Sequence, residues 1–203
     1  MTSPDDSPGV PAWPGMTDPG HSQRYIQRFR DMAAEGNDLF GESRLIDAMV
    51  DRHSRVLDAG CGPGRTAGYL AERGHTVVGI DVDPRLIEVA PTEHPGPRYV
   101  VGDLAHLDLA SLGETEPFDA VLCAGNVMVF LAPGSETRVL TRLRSVVRGD
   151  GFAAVGFHVA RYPLGLFDEA VAQAGWVLEQ RFATWDLRPW RAGGDFAVSI
   201  LRN

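Results

Sequence analysis

The chain has 203 residues, 44% of them apolar and 23% charged, with a net charge of −8 at pH 7. Its length and apolar content suit one globular α/β domain with an appendage and a core of its own. The acidic balance excludes nucleic acid and anionic membrane surfaces as expected partners, and the lack of a leader pattern or of any apolar run near the ~20 residues of a membrane span predicts a cytoplasmic location.

Residues 1–20 carry prolines at 4, 8, 11, 14 and 19 with little to pack, and are expected to form a disordered or loosely attached tail. Two amphipathic helices should follow. One gathers Tyr25, Ile26, Phe29, Met32 and Ala33 on a face; the other gathers Leu45, Ile46, Met49 and Val50. From residue 55 onward strands alternate with helices, which predicts a parallel sheet covered on both faces.

The first strand, Arg55 to Ala59, runs into Asp58-Ala59-Gly60-Cys61-Gly62-Pro63-Gly64, and a helix is expected from Arg65 to Arg73, closed by Gly74. Glycines so closely spaced let the backbone turn sharply and meet a ligand without a Cβ in the way. The helix start behind them aims unpaired N–H groups at the same place. The second strand, Thr76 to Ile80, leads to Asp81, 21 residues after Gly60, where an acid can hold a ribose diol. Asp83-Pro84 then offers a helix cap and a first helical proline, and Pro91 is expected to stop that helix. A third strand, Arg98 to Val101, leads to Asp103 and Leu104.

The dinucleotide fingerprint G-x-G-x-x-G would need Gly or Ala at position 65, where this chain has Arg65, and the third glycine comes one place early. The acid-led G-x-G-x-G pattern resembles motif I of the class I S-adenosylmethionine-dependent methyltransferases. Asp58, Asp81 and Asp103 at the ends of adjacent strands suit a ligand bearing a sulfonium and an ammonium better than a pyrophosphate. The resemblance implies that S-adenosylmethionine is held by Asp58, Gly60, Gly62, Gly64, Asp81, Val82, Asp103, Leu104 and Ala124, with Tyr25 closing from the N-terminal side. It implies an N-terminal helical lid over 21–52 and a methyltransferase domain over 53–203.

The fourth strand is expected at Phe118 to Cys123, a helix opening at Ser135, and a fifth strand at Gly151 to Phe157 after a Gly149-Asp150-Gly151 turn. Pro163 and residues 168–175 predict a helix burying Phe167, Val171 and Ala174. Two last runs, Trp176 to Trp185 and Asp195 to Leu201, read as a long hairpin. The resulting fold class is α/β: a Rossmann-like, doubly wound sheet of seven strands, mostly parallel. In the family that this resembles, the last strand is antiparallel.

Residues after the fourth strand read Ala124-Gly125-Asn126-Val127-Met128, so the Asn/Asp-Pro-Pro-Tyr/Phe motif of adenine-N6 methyltransferases is absent. The expected acceptor is a small molecule, methylated by direct displacement. Asn126 is equally an acceptor contact or a turn residue. His158, after the fifth strand, is the position best suited to a general base, with a surface histidine as the competing reading. His106 falls at the adenine rim or in solvent, and His21, His53, His75 and His94 fall outside the predicted mouth.

Cys61 and Cys123 are expected to be unpaired, with Cys61 a small residue filling a tight turn, and no metal is expected. Arginines 138, 142, 144 and 148 read as the solvated side of the fourth helix of the α/β region. The segment Trp185-Asp186-Leu187-Arg188-Pro189-Trp190 fits either a pocket wall or an oligomer contact. Two other functions stay open: a nicotinamide-dependent oxidoreductase, and a non-catalytic module that keeps the cofactor site.

Overall fold

The computed structural model describes residues 9–203. After a 3₁₀ turn at Pro14–Met16, the helices are α1 (Pro19–Ala34), α2 (Gly41–Met49), α3 (Arg65–Glu72), α4 (Pro84–Glu93), α5 (Glu136–Ser145) and α6 (Leu164–Gln173). The strands are β1 (Arg55–Ala59), β2 (Thr76–Asp81), β3 (Arg98–Val101), β4 (Phe118–Cys123), β5 (Val147–His158), β6 (Val177–Phe182) and β7 (Phe196–Arg202). They form one sheet in the order β3-β2-β1-β4-β5-β7-β6. Strands β3, β2, β1, β4 and β5 run parallel, and β7 is antiparallel to both β5 and β6.

The two-residue period of β1 explains the layering. Val56 faces Leu45, Ile46, Ala67 and Leu70 of α2 and α3, whereas Leu57 and Ala59 face a core with Val139, Leu140, Phe157 and Phe167 of α5, β5 and α6. A central strand buried on both sides is necessarily apolar, and the only charged side chain buried within β1 is Asp58 at its carboxyl end.

Several expectations change. The disordered or loosely attached tail expected over 1–20 lies outside the described residues only for 1–8. Within residues 9–18, Ala12 donates its N–H to the Phe130 carbonyl at 2.9 Å and Trp13 reaches Asp83, whereas Val10 is exposed, and Pro19 already opens α1 behind Asp18, whose carboxylate accepts from the Gly20 N–H at 2.9 Å. Pro91 does not stop α4. A proline deletes one N–H, and the ladder resumes beyond it, with the His94 N–H donating to the Ala90 carbonyl at 2.8 Å. Strand β5 starts at Val147, ahead of the expected turn, because a register shift against β4 absorbs the Gly149-Asp150-Gly151 stretch between the Val147 and Phe152 pairings. Of the segment that could wall a pocket or an interface, Trp185 packs inward against the α2–α3 core, where a Cβ on Gly156 would overlap its ring, while residues 186–189 are exposed.

Among the described residues no helix is long and apolar enough to cross a membrane. Cys61 and Cys123 are both buried and unpaired.

Candidate active site

The sheet order reverses between β1 and β4, and a ligand crevice is expected at the carboxyl ends of strands flanking such a switch point. Gly60 follows β1 and Val127 follows β4, and they meet there: a Cβ on Gly60 would overlap the Val127 side chain. Gly60, Gly62 and Gly64 have φ of +79°, +56° and +90°, a region costly for residues with a Cβ. The loop is tied to β2, since the N–H groups of Gly60 and Cys61 both donate to the Ile80 carbonyl, at 2.8 and 3.0 Å.

Two cavities open along this loop. The larger, about 620 Å³, is lined on one side by Asp81, Val82, Asp103 and Leu104 and on the other by Trp13, Tyr25, Val127 and Phe130. The smaller, about 360 Å³, is lined by Asp58, Thr66, Arg65, Phe29 and Ala124. Tyr25, Gly60 and Gly125 line both, so the two form one elongated cleft across the switch point.

Carboxylates define its floor. Asp58 is 1% exposed and accepts from the Thr66 hydroxyl, and burial pushes its pKa up to about 6 against the opposing pull of that hydrogen bond. Asp81 is likewise raised to about 6 by burial, although the N–H groups of Gly62 and Asp83 donate to its two oxygens at 2.9 Å each. Asp103 accepts from the Ala105 N–H at 2.9 Å, which turns Leu104 into the cleft. The cation nearest this floor is Arg65, whose guanidinium is engaged by Glu42 at 3.0 Å and lies over the Phe29 ring.

The structure brings together nearly all the residues expected from the sequence. Tyr25, Gly60, Gly62, Asp81, Val82, Asp103 and Leu104 line the larger cavity, and Asp58, Ala124, Gly60 and Tyr25 the smaller. Gly64 lines neither; it caps α3 beneath Tyr99, where a Cβ would overlap the phenol. His158 is also outside both linings: its ring is exposed beside Phe196, and its backbone N–H donates to Asn126 Oδ1 at 2.8 Å. That bond spends Asn126 on holding its own turn, where its φ is +66°. Cys61 fills the turn as expected, with burial raising its thiol pKa well above the ordinary value.

Sequence reasoning missed Trp13, Phe130, Leu86 and Leu131. Trp13 fell within an expected tail, yet its indole packs edge-on against Tyr25 at 5.2 Å and Phe130 at 5.1 Å, and Nε1 donates to Asp83 Oδ2 at 2.8 Å. A tryptophan in an otherwise featureless proline-rich stretch was the available signal.

Residues 56–151 match the family of the methyltransferase domain. The chain is 43% identical to a solved TehB-like SAM-dependent methyltransferase from Corynebacterium glutamicum, with a TM-score of 0.86, covering 92% of this chain and all of that one. It is 35% identical over 146 residues to the magnesium-protoporphyrin O-methyltransferase of Rhodobacter capsulatus, covering 68% of this chain and 60% of that protein. A 38-residue stretch is 63% identical to the 2-heptyl-1-hydroxyquinolin-4(1H)-one methyltransferase of Mycobacteroides abscessus, covering 19% of this chain and 17% of that protein. The chain thus spans at most 60% of the length of these two curated relatives. The glycine loop, the sheet order and the solved relative agree, and the chain belongs to the class I S-adenosylmethionine-dependent methyltransferase family.

Proposed function

We propose that this protein binds S-adenosylmethionine along the cleft and transfers its methyl group by direct displacement to a small-molecule acceptor. One observation carries the reading: the buried carboxylate of Asp58 and the half-buried one of Asp81 floor the cleft, and among the described residues Arg65, engaged by Glu42, is the one base lining it. Such a floor favours a cationic ligand and disfavours a diphosphate. The names of the relatives, methyltransferases of a porphyrin and a quinolone, support a small organic acceptor. The net charge of −8 supports the same class over nucleic acid.

When bound, the cofactor supplies a methyl group already activated on a sulfonium. Asp81 would hold the ribose, Val82 and Leu104 would flank the adenine beside Asp103, and Asp58, Gly60 and Ala124 would border the methionine end. Trp13, Tyr25 and Phe130 exclude water from the opposite side, which together with alignment is the main catalytic task when the electrophile is preformed. No histidine lines either cavity among the described residues. Tyr25, its pKa pushed up to about 12 by burial, is a poor base at neutral pH. His158 is therefore not assigned as a base.

We assign the helical segment of residues 21–52 as a lid over the domain of residues 53–203, because Tyr25 and Phe29 of α1 line the cleft. We also place the protein in the cytoplasm, in keeping with two unpaired buried thiols.

Calorimetric titration with S-adenosylhomocysteine and with NAD tests the cofactor; binding of the first alone is expected. Methyl transfer to a metabolite extract from labelled S-adenosylmethionine tests the reaction, and a complete absence of labelled product favours a non-catalytic module.

A further inference from the structure

Asp83 is fully buried, yet it is not part of the cofactor floor. Its carboxylate caps α4 by accepting from the Arg85 N–H at 3.0 Å, and it takes two further donors from the N-terminal segment, Trp13 Nε1 at 2.8 Å and the Ser22 hydroxyl. Gly15 seals this knot: a Cβ there would overlap Trp13 Nε1, Asp83 Oδ2 and Ser22 Oγ together. The segment is fastened at a second point, where the Ala12 N–H donates to the Phe130 carbonyl at 2.9 Å. Through its own backbone N–H, Asp83 donates to Asp81 Oδ1 at 2.9 Å.

Residue 83 therefore touches both sides of the cleft, Asp81 on the floor and Trp13 on the cover. Opening of residues 11–18 would take the Trp13 donor from this buried carboxylate, which is costly unless water replaces it. Trp13 lines the larger cavity together with Asp81.

Resting on the proposed function, we propose that Asp83 is a positioning residue, a latch that fastens the segment of residues 11–18 over the bound cofactor and so sets how fast the cofactor leaves. Asp83 itself touches neither cofactor nor acceptor. Trp13 is the moving part, and Gly15 permits closure.

The test is S-adenosylhomocysteine release, measured by stopped-flow displacement on the full chain and on Trp13→Phe, Gly15→Ala and Asp83→Asn. Trp13→Phe keeps an aromatic ring and loses the donor; Gly15→Ala forces the knot apart without altering any group on the floor. Each variant is expected to release S-adenosylhomocysteine about 10- to 150-fold faster, the size of one lost charge-assisted hydrogen bond. Trp13→Phe combined with Asp83→Asn should be no faster than Asp83→Asn alone, as expected when both substitutions break the same hydrogen bond. Tryptophan fluorescence should change on ligand addition in the wild type and lose that change in Trp13→Phe, which keeps Trp176, Trp185 and Trp190 as internal references. Unchanged release in both Trp13→Phe and Gly15→Ala overturns the latch, even if Asp83→Asn fails to fold. Failure of the wild type to bind S-adenosylhomocysteine overturns the latch and the proposed function together, whereas tight binding with unchanged release overturns the latch alone.

Discussion

The carboxylate of Asp58 and the hydroxyl of Thr66 are hydrogen-bonded across the glycine loop, joining the last turn of β1 to the first turn of α3 in a fully buried contact. The loop between them is thereby held taut, and the carboxylate is held where water cannot reach it. This arrangement stores negative charge at one end of the cleft at the expense of the unliganded fold.

Asp58→Asn should expose that cost. With a pKa of about 6 when folded against an ordinary 3.8, Asp58 contributes stability that is fully present below about pH 4 and lost as pH rises through 6. The asparagine carries no such loss and still accepts from Thr66. Chemical denaturation of the unliganded proteins should find the variant the more stable at pH 7, by about 2–3 kcal/mol at most, with the gap closing toward pH 4. A gap independent of pH would remove the buried charge as its cause.

Asp81→Asn tests the other end of the floor. Loss of the charge should weaken S-adenosylmethionine by about 1–3 kcal/mol. In the wild type, affinity should hold above pH 6 and decline as acidification protonates a group whose pKa is about 6. Calorimetry from pH 5 to 8 checks both, and a flat profile in the wild type would deny Asp81 its part.

Gly60→Ala meets two obstacles, a φ of +79° and the Val127 side chain. A loss of about 2–4 kcal/mol in stability or in cofactor binding is expected. Val127→Ala in the same chain should restore part of the packing share and none of the backbone share. Equal melting temperatures for Gly60→Ala and wild type would show that the loop relaxes freely.

His158→Ala should leave S-adenosylhomocysteine affinity and methyl transfer to a metabolite extract within about twofold of wild type from pH 6 to 9, as for a surface substitution. Its ring is exposed and lines neither cavity. A loss of turnover confined to neutral and alkaline pH, where a neutral imidazole can accept a proton, would reinstate it as a base.

Strand and helix order was readable because β1, β2, β3 and β4 are short apolar runs closed by Asp or Gly, and those closing residues are the site. Asp58, Asp81 and Asp103 lie where the strand ends put them, since backbone direction alone dictates that placement. His158 is itself the last residue of β5, and antiparallel pairing with β7 sets it beside Phe196, with its ring outside both cavity linings. No local pattern encodes that. Trp13 was hidden for the opposite reason: its position depends on Asp83, 70 residues away, and on the absence of a side chain at Gly15.

The most direct measurement is a side-by-side titration of the full chain at pH 7.5 with S-adenosylmethionine, S-adenosylhomocysteine and NAD. Saturable one-to-one binding of both sulfur ligands, weakened by Asp81→Asn, with no heat from NAD, is the predicted outcome. Binding of NAD in preference to both would contradict a cleft built on Asp58 and Asp81 for a cation.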